Sequence, residues 1–86
     1  MTKEDLLKHP LKLVHFTING ESGRGVVNDT LGELQLWEMT AFAQAVTSYG
    51  RILKLTDAMI EAMTNEDGKL SLVYNGENPW MGKGKR

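Results

Sequence analysis

The chain has 86 residues, 41% hydrophobic and 24% charged, which is the composition of one globular domain and excludes a disordered or fibrous chain. It has no cysteine, which removes disulfide frameworks, thiolate zinc sites and cysteine nucleophiles together. Lys83, Lys85 and Arg86 carry three positive charges, while residues 1–82 hold seven basic and eleven acidic side chains, a net of −4. An acidic body of this kind is ill suited to gripping duplex DNA through its folded surface.

No apolar run approaches the roughly 20 residues that span a bilayer. Met1-Thr2-Lys3-Glu4-Asp5 carries both signs of charge and precedes no apolar signal region. A soluble cytoplasmic protein with no membrane partner is the expectation. The sequon Asn28-Asp29-Thr30 carries no weight without a secretion signal.

In chain order, Thr2-Lys3-Glu4-Asp5 has capping-box spacing and predicts a short N-terminal helix over residues 3–8, closed before Pro10. Leu13 to Ile18 alternates, with Val14, Phe16 and Ile18 on one face. Asn19-Gly20 then suits a hairpin turn. A two-residue loop sets Phe16 opposite Gly23; a four-residue Gly20-to-Gly23 loop sets it opposite Val27 and buries more apolar surface. The second register is favoured, giving a hairpin over residues 12–19 and 24–28.

Thr30-Leu31-Gly32-Glu33 reads as a second capping box, and Leu34, Trp37, Ala41, Ala45 and Ser48 follow at spacings of three and four. This predicts a helix over 31–49, stopped by Gly50. Ile52, Leu55, Met59 and Met63 favour a second helix over 51–64. The rival is a strand from Arg51 to Leu55 and a short helix capped by Thr56. Asn65-Glu66-Asp67-Gly68 is a turn, Lys69–Tyr74 a last strand, and Asn75-Gly76 its end. The expected fold is α+β: a small three-stranded antiparallel sheet with two helices packed on one face and a short N-terminal helix. Residues 1–76 form the single domain and residues 77–86 a tail.

Chemistry-bearing patterns are few. Gly20-Glu21-Ser22-Gly23-Arg24-Gly25 has the outer spacing of a phosphate loop, but Val26 and Val27 stand where Lys and Ser/Thr are required, so it reads as a flexible hairpin loop. A calcium loop centred on Gly68 would place Met63 and Tyr74 at positions that need carboxylates. His15 sits mid-strand with no serine–histidine–acid pattern around it. Asp57 and Glu61, four apart, solvate a helix face. No catalytic residue, metal site or cofactor is expected.

Met59 and Met63 fill the core or, as the rival reading, form a dimer interface. Asn78-Pro79-Trp80-Met81 places a large apolar side chain in a polar segment. Trp80 docks either on its own domain or on a partner. Trp80, Met81, Lys83, Lys85 and Arg86 are the candidate partner-binding residues. The expected function is non-catalytic protein–protein interaction, as an inhibitor, adaptor or assembly factor of the compositional type common among phage and mobile-element accessory proteins, with homodimerisation as an option. A nucleic-acid-associated regulator using the basic end is the alternative, followed by a small enzyme using His15.

Overall fold

The structure, a computed structural model, describes residues 1–9, 12–30, 32–39 and 49–83, with only the backbone of Tyr49, Gly82 and Lys83. Its elements are α1 (Lys3–Lys8), β1 (Leu13–Ile18), β2 (Glu21–Thr30), β3 (Glu33–Met39), β4 (Tyr49–Lys54), α2 (Asp57–Ala62), β5 (Thr64–Glu66), β6 (Lys69–Tyr74) and β7 (Trp80–Lys83). The strands form one mixed sheet in the order β5-β6-β1-β2-β3-β4-β7. β1 and β6 are parallel, and every other described pair is antiparallel. The expected three-stranded antiparallel sheet is thus corrected to a seven-stranded mixed one with two short helices.

Four added strands account for the difference, the shortest being β5, which takes Thr64 from the end of the expected second helix and Asn65 and Glu66 from the expected turn. Glu33–Met39 is a strand, not the first turns of a helix: its burial alternates, with Leu34 and Leu36 buried and Gln35 and Trp37 half-buried on the other face. Two-residue alternation prevails over the three-and-four spacing of Leu34 and Trp37, which point to opposite faces in a strand. Residues 40–48 of the predicted helix lie outside the described residues. Arg51–Leu55 follows the rival reading: β4 ends at Lys54, and Thr56 caps α2 by accepting the Met59 N–H at 3.2 Å. Within residues 77–86, Trp80–Lys83 pairs with β4 as the last described strand.

The first hairpin takes the two-residue register. Asn19 and Gly20 have φ of 51° and 83°, the left-handed pair that matches strand twist. Phe16 therefore faces Gly23, not Val27. Apolar area alone favours Val27, but the side chain that Gly23 lacks makes room for the ring. A Cβ built on Gly23 would lie 2.7 Å from Phe16 Cζ, so the ring occupies the space that glycine leaves. Gly23 and Gly25 are accordingly strand residues of β2, not a flexible loop. Asp67-Gly68 repeats the left-handed pair, with φ of 54° and 82°, between β5 and β6.

The sheet is strongly curled. Phe16 on β1 and Trp80 on β7 are four places apart in the strand order, about 19 Å in a flat sheet. Their ring centroids are 5.5 Å apart. The inner face thus closes on itself and buries Val14, Phe16, Ile18, Val27, Leu34, Leu36, Leu53, Leu70 and Leu72. α2 carries the chain from β4, near one rim of the sheet, to β5 at the other. It seals one end of the curl with Met59, Ile60 and Met63, and Leu6 of α1 joins them. The Met1 amino group lies 3.3 to 3.5 Å from the carbonyl oxygens of Ile60, Glu61 and Met63, a cation set against the C-terminal end of α2.

Candidate functional site

At the end of the curl away from α2, the inner face turns polar. Glu38 follows Leu34 and Leu36 on β3, and Arg51 precedes Leu53 on β4, so the alternation that buries leucine also aims these two charges at each other. The ladder slips here: Trp37 pairs with Ile52 and Met39 with Tyr49, leaving Glu38 opposite both Gly50 and Arg51. Such a bulge leaves a backbone donor without its ladder partner. Glu38 supplies one, its Oε1 accepting the Arg51 backbone N–H at 3.0 Å and Nε at 2.9 Å, while Oε2 accepts Nη2 at 2.8 Å. Glu21 Oε1 accepts Nη2 as well, at 2.9 Å.

The Arg51 guanidinium then lies 4.3 Å from the centroid of the Trp80 ring, and that ring meets Phe16 edge-on at an interplanar angle of 65°. β7 is thus held by a stack of Phe16, Trp80 and Arg51, clamped by two carboxylates. Arg51 binds Glu38 in the fork geometry that lysine lacks.

Hydrogen bonding from Arg51 holds the Glu38 carboxyl below its ordinary value of 4.5, against a smaller opposing push from burial. Glu21 and Glu38 together hold the Arg51 guanidinium above its ordinary value. A lowered folded-state pKa means that this contribution is fully present above the unfolded value. It is lost as pH falls through the folded one. The stability difference between wild type and Glu38→Gln, about 2 kcal/mol at neutral pH, is therefore expected to be flat above about pH 5.5 and to shrink steadily below about pH 4.5. Urea unfolding of both proteins across that range measures it. A difference independent of pH would separate Glu38 from the ion pair.

The other flank of β7 differs in character. The β4–β7 register runs from Ile52 opposite Gly82 to Leu53 opposite Trp80, so Met81 is the extra residue of a second bulge. Bulges re-aim side chains, and Met81 is 62% exposed. The other exposed large apolar side chains among the described residues are Val73 and Leu7, at 63% and 36%. β7 ends the strand order, and among the described elements β4 alone lies in backbone contact with it.

The sequence-predicted residues thus divide. Trp80 docks on its own domain, half-buried against the core. Met81 stands outward from the same strand, and Lys83 closes it in register with Arg51. Lys85 and Arg86 lie outside the described residues. Met59 and Met63, 5% and 2% exposed, lie in the core cluster, where the first of their two readings puts them. His15 is half-buried on the outer face, in register with Arg24 and Ser71. The depression beside it, of about 320 Å³, is lined by Thr17, Ser22, Lys69 and Ser71 among others, and by no carboxylate. A larger cleft of about 500 Å³ at the α2 end mixes Lys3 and Lys54 with Glu33 and Asp57. Among the described residues no group of three or more His, Asp or Glu is placed to hold a metal ion. The sequence pattern does not single out Arg51, Glu38 and Glu21. The signal available was an acid and a base on inward positions of two strands, which is invisible while both strands are read as helices.

No family model, curated protein or solved structure matches this chain. No helix among the described residues is long and apolar enough to cross a membrane. What the site does therefore rests on its own geometry: one side of β7 locks into the sheet, and the other presents an apolar side chain at a rim that meets no other described element.

Proposed function

We propose that this chain is a non-catalytic protein-binding module, an inhibitor, adaptor or assembly factor, that engages its partner along β7. The observation that carries the reading is Met81. A bulge turns its side chain away from the core on a strand whose outer side meets no other described element. A large apolar side chain held outward on a rigid strand is a preorganised contact, because little freedom remains to be lost on binding. Trp80 supplies the rigidity, since its stacking between Phe16 and Arg51 fixes the strand that presents its neighbour. Exposed strand rims also invite unwanted pairing, which proteins suppress with charge and brevity. β5 follows that pattern with three exposed polar residues, Thr64, Asn65 and Glu66, whereas β7 keeps a methionine on its rim.

Site-directed photocrosslinking tests this. A photoreactive side chain at position 81 is expected to give a discrete heterologous adduct in an extract of the native host, and the same group at Asp29, exposed on β2, is expected to give none. Equal labelling at both positions, or no adduct at 81, would end the proposal.

A further inference from the structure

We propose that the depression beside His15 binds a phosphate monoester of a small organic molecule. It lies on the outer face of β6, β1 and β2, and it does not depend on the protein-binding reading of β7.

Alternation and register build the site. His15 and Thr17 point outward from β1 because Val14, Phe16 and Ile18 point inward. Ser71 and Arg24 stand on either side of His15, and Val73 and Ser22 on either side of Thr17. Lys69 precedes Ser71 by one pleat on β6. Serine and threonine are short, so the surface dips between the longer side chains of His15 and Lys69. The depression holds about 320 Å³, at the small end of the range for small-molecule sites.

Charge decides the class of ligand. The lining offers hydrogen-bond donors and a cation but no carboxylate, although residues 1–82 hold eleven acidic side chains. Such a lining favours an anion over a metal ion or an ammonium group. Among the described residues the side chains of His15, Ser71 and Lys69 have no hydrogen-bond or ion-pair partner, so they are available to a ligand. Thr17 and Ser22 share one hydrogen bond at 3.1 Å, which leaves the pair one hydroxyl proton to offer. Arg24, exposed and in register with His15, places a further cation at the border.

Geometry selects among anions. A planar carboxylate is best met by a planar fork of donors, and the lining contains no arginine. Single donors from three neighbouring strands suit a tetrahedral phosphoryl group, whose three terminal oxygens can engage them together. Val73 is exposed at the edge of the depression and offers an apolar contact for the carbon skeleton of the ester. One carboxylate opposes the ligand on this face: Glu66 stands opposite Lys69 on β5, without forming an ion pair with it. The larger cleft beside α2 lacks this selectivity, since Glu33 and Asp57 offset Lys3 and Lys54.

The test titrates the full isotope-labelled chain with phenyl phosphate. Saturable binding is expected, with amide shift changes centred on residues 15–17, 22–23 and 69–73. Benzoate keeps the ring and replaces the phosphoryl group with a carboxylate, whereas inorganic phosphate drops the ring. Each is expected to bind at least about fivefold more weakly. Lys69→Gln and Ser71→Ala are each expected to weaken phenyl phosphate binding by at least about fivefold. Glu66→Gln is expected to tighten it by about twofold, because a like charge is removed. Lys54→Gln, in the other cleft, is expected to leave it unchanged. If a site variant fails to fold, the shift map and the ligand series of the wild type still decide.

Equal binding of benzoate or of inorganic phosphate would overturn the inference, as would full affinity in folded Lys69→Gln and Ser71→Ala. Shifts centred on Lys3, Leu34 and Lys54 would also overturn it, and so would an absence of saturable binding. An oligothymidylate of about ten nucleotides binding more than about tenfold tighter would hand the face to nucleic acid. A phosphotyrosine peptide of about eight residues doing the same would hand it to a protein partner. Photocrosslinking at position 81 reads a different surface, so the two proposals fail separately.

Discussion

Arg51→Ala is expected to cost about 3 kcal/mol of stability and to loosen β7, because it removes three interactions at once. The side chain makes a forked pair with Glu38 and a further bond to Glu21, and its guanidinium covers the Trp80 ring. Glu38 is only 21% exposed, so it would be left largely covered without its cation, which costs more than losing a surface pair. Its Oε1 would keep the residue 51 amide, which makes the loss partial. Arg51→Lys keeps the charge but not the fork and is expected to recover about half of the loss. Urea unfolding measures the stability. In a Trp37→Phe background, Trp80 emission reports the strand and should shift to the red in Arg51→Ala. A loss below about 1 kcal/mol with unchanged emission would show that the stack is held without the ion pair.

Gly23→Ala should be destabilising by about 2 to 3 kcal/mol, although removing a glycine from a strand ordinarily stabilises by about 0.5 to 1 kcal/mol. The sign reverses because the new methyl group would meet Phe16 Cζ at 2.7 Å and Cε1 at 3.1 Å. The ring has little room to yield: Phe16 is 2% exposed and abuts the Trp80 ring. Overpacking of this kind displaces the backbone or forces an unfavourable rotamer. The double variant with Phe16→Leu separates the clash from a general loss of packing. Two substitutions that share one contact should be less costly together than their separate costs imply, by more than about 1 kcal/mol. Strict additivity would place the cost elsewhere.

These two positions mark where reading the chain succeeds and where it stops. Thr2 and Asp5 reveal α1 because a capping box is complete within four residues, and both of its hydrogen bonds are present. Val14, Phe16 and Ile18 reveal β1, and Leu70, Leu72 and Tyr74 reveal β6, because a half-buried strand records its faces in its own alternation. Glu33–Met39 carries the same alternation. A longer apolar spacing running into residues beyond the strand masks it, so the local signal is hidden in a wider window. Gly23 buries no side chain of its own, and its value lies in the space it leaves for Phe16.

The candidate site divides along the same line. Met81 and the following cations are visible as composition, since an apolar residue beside a basic run stands out in a polar segment. The docking of Trp80 is not, because its partners Arg51 and Phe16 lie far away in the chain. Their meeting depends on sheet curvature and on two bulges that periodicity cannot register.

The parallel pair has a consequence for the order of assembly. β1, β2, β3 and β4 are sequential neighbours, so each can find its mate soon after it is made. β6 is different: Val14 pairs with Leu70, so one side of β1 must wait for a strand more than fifty residues downstream. Closing so large a loop spends entropy before any contact offsets it, and topologies of this type fold slowly. Until that late arrival, a row of valine, phenylalanine and isoleucine stands open at the margin of a nascent meander, where another unfinished chain can reach it.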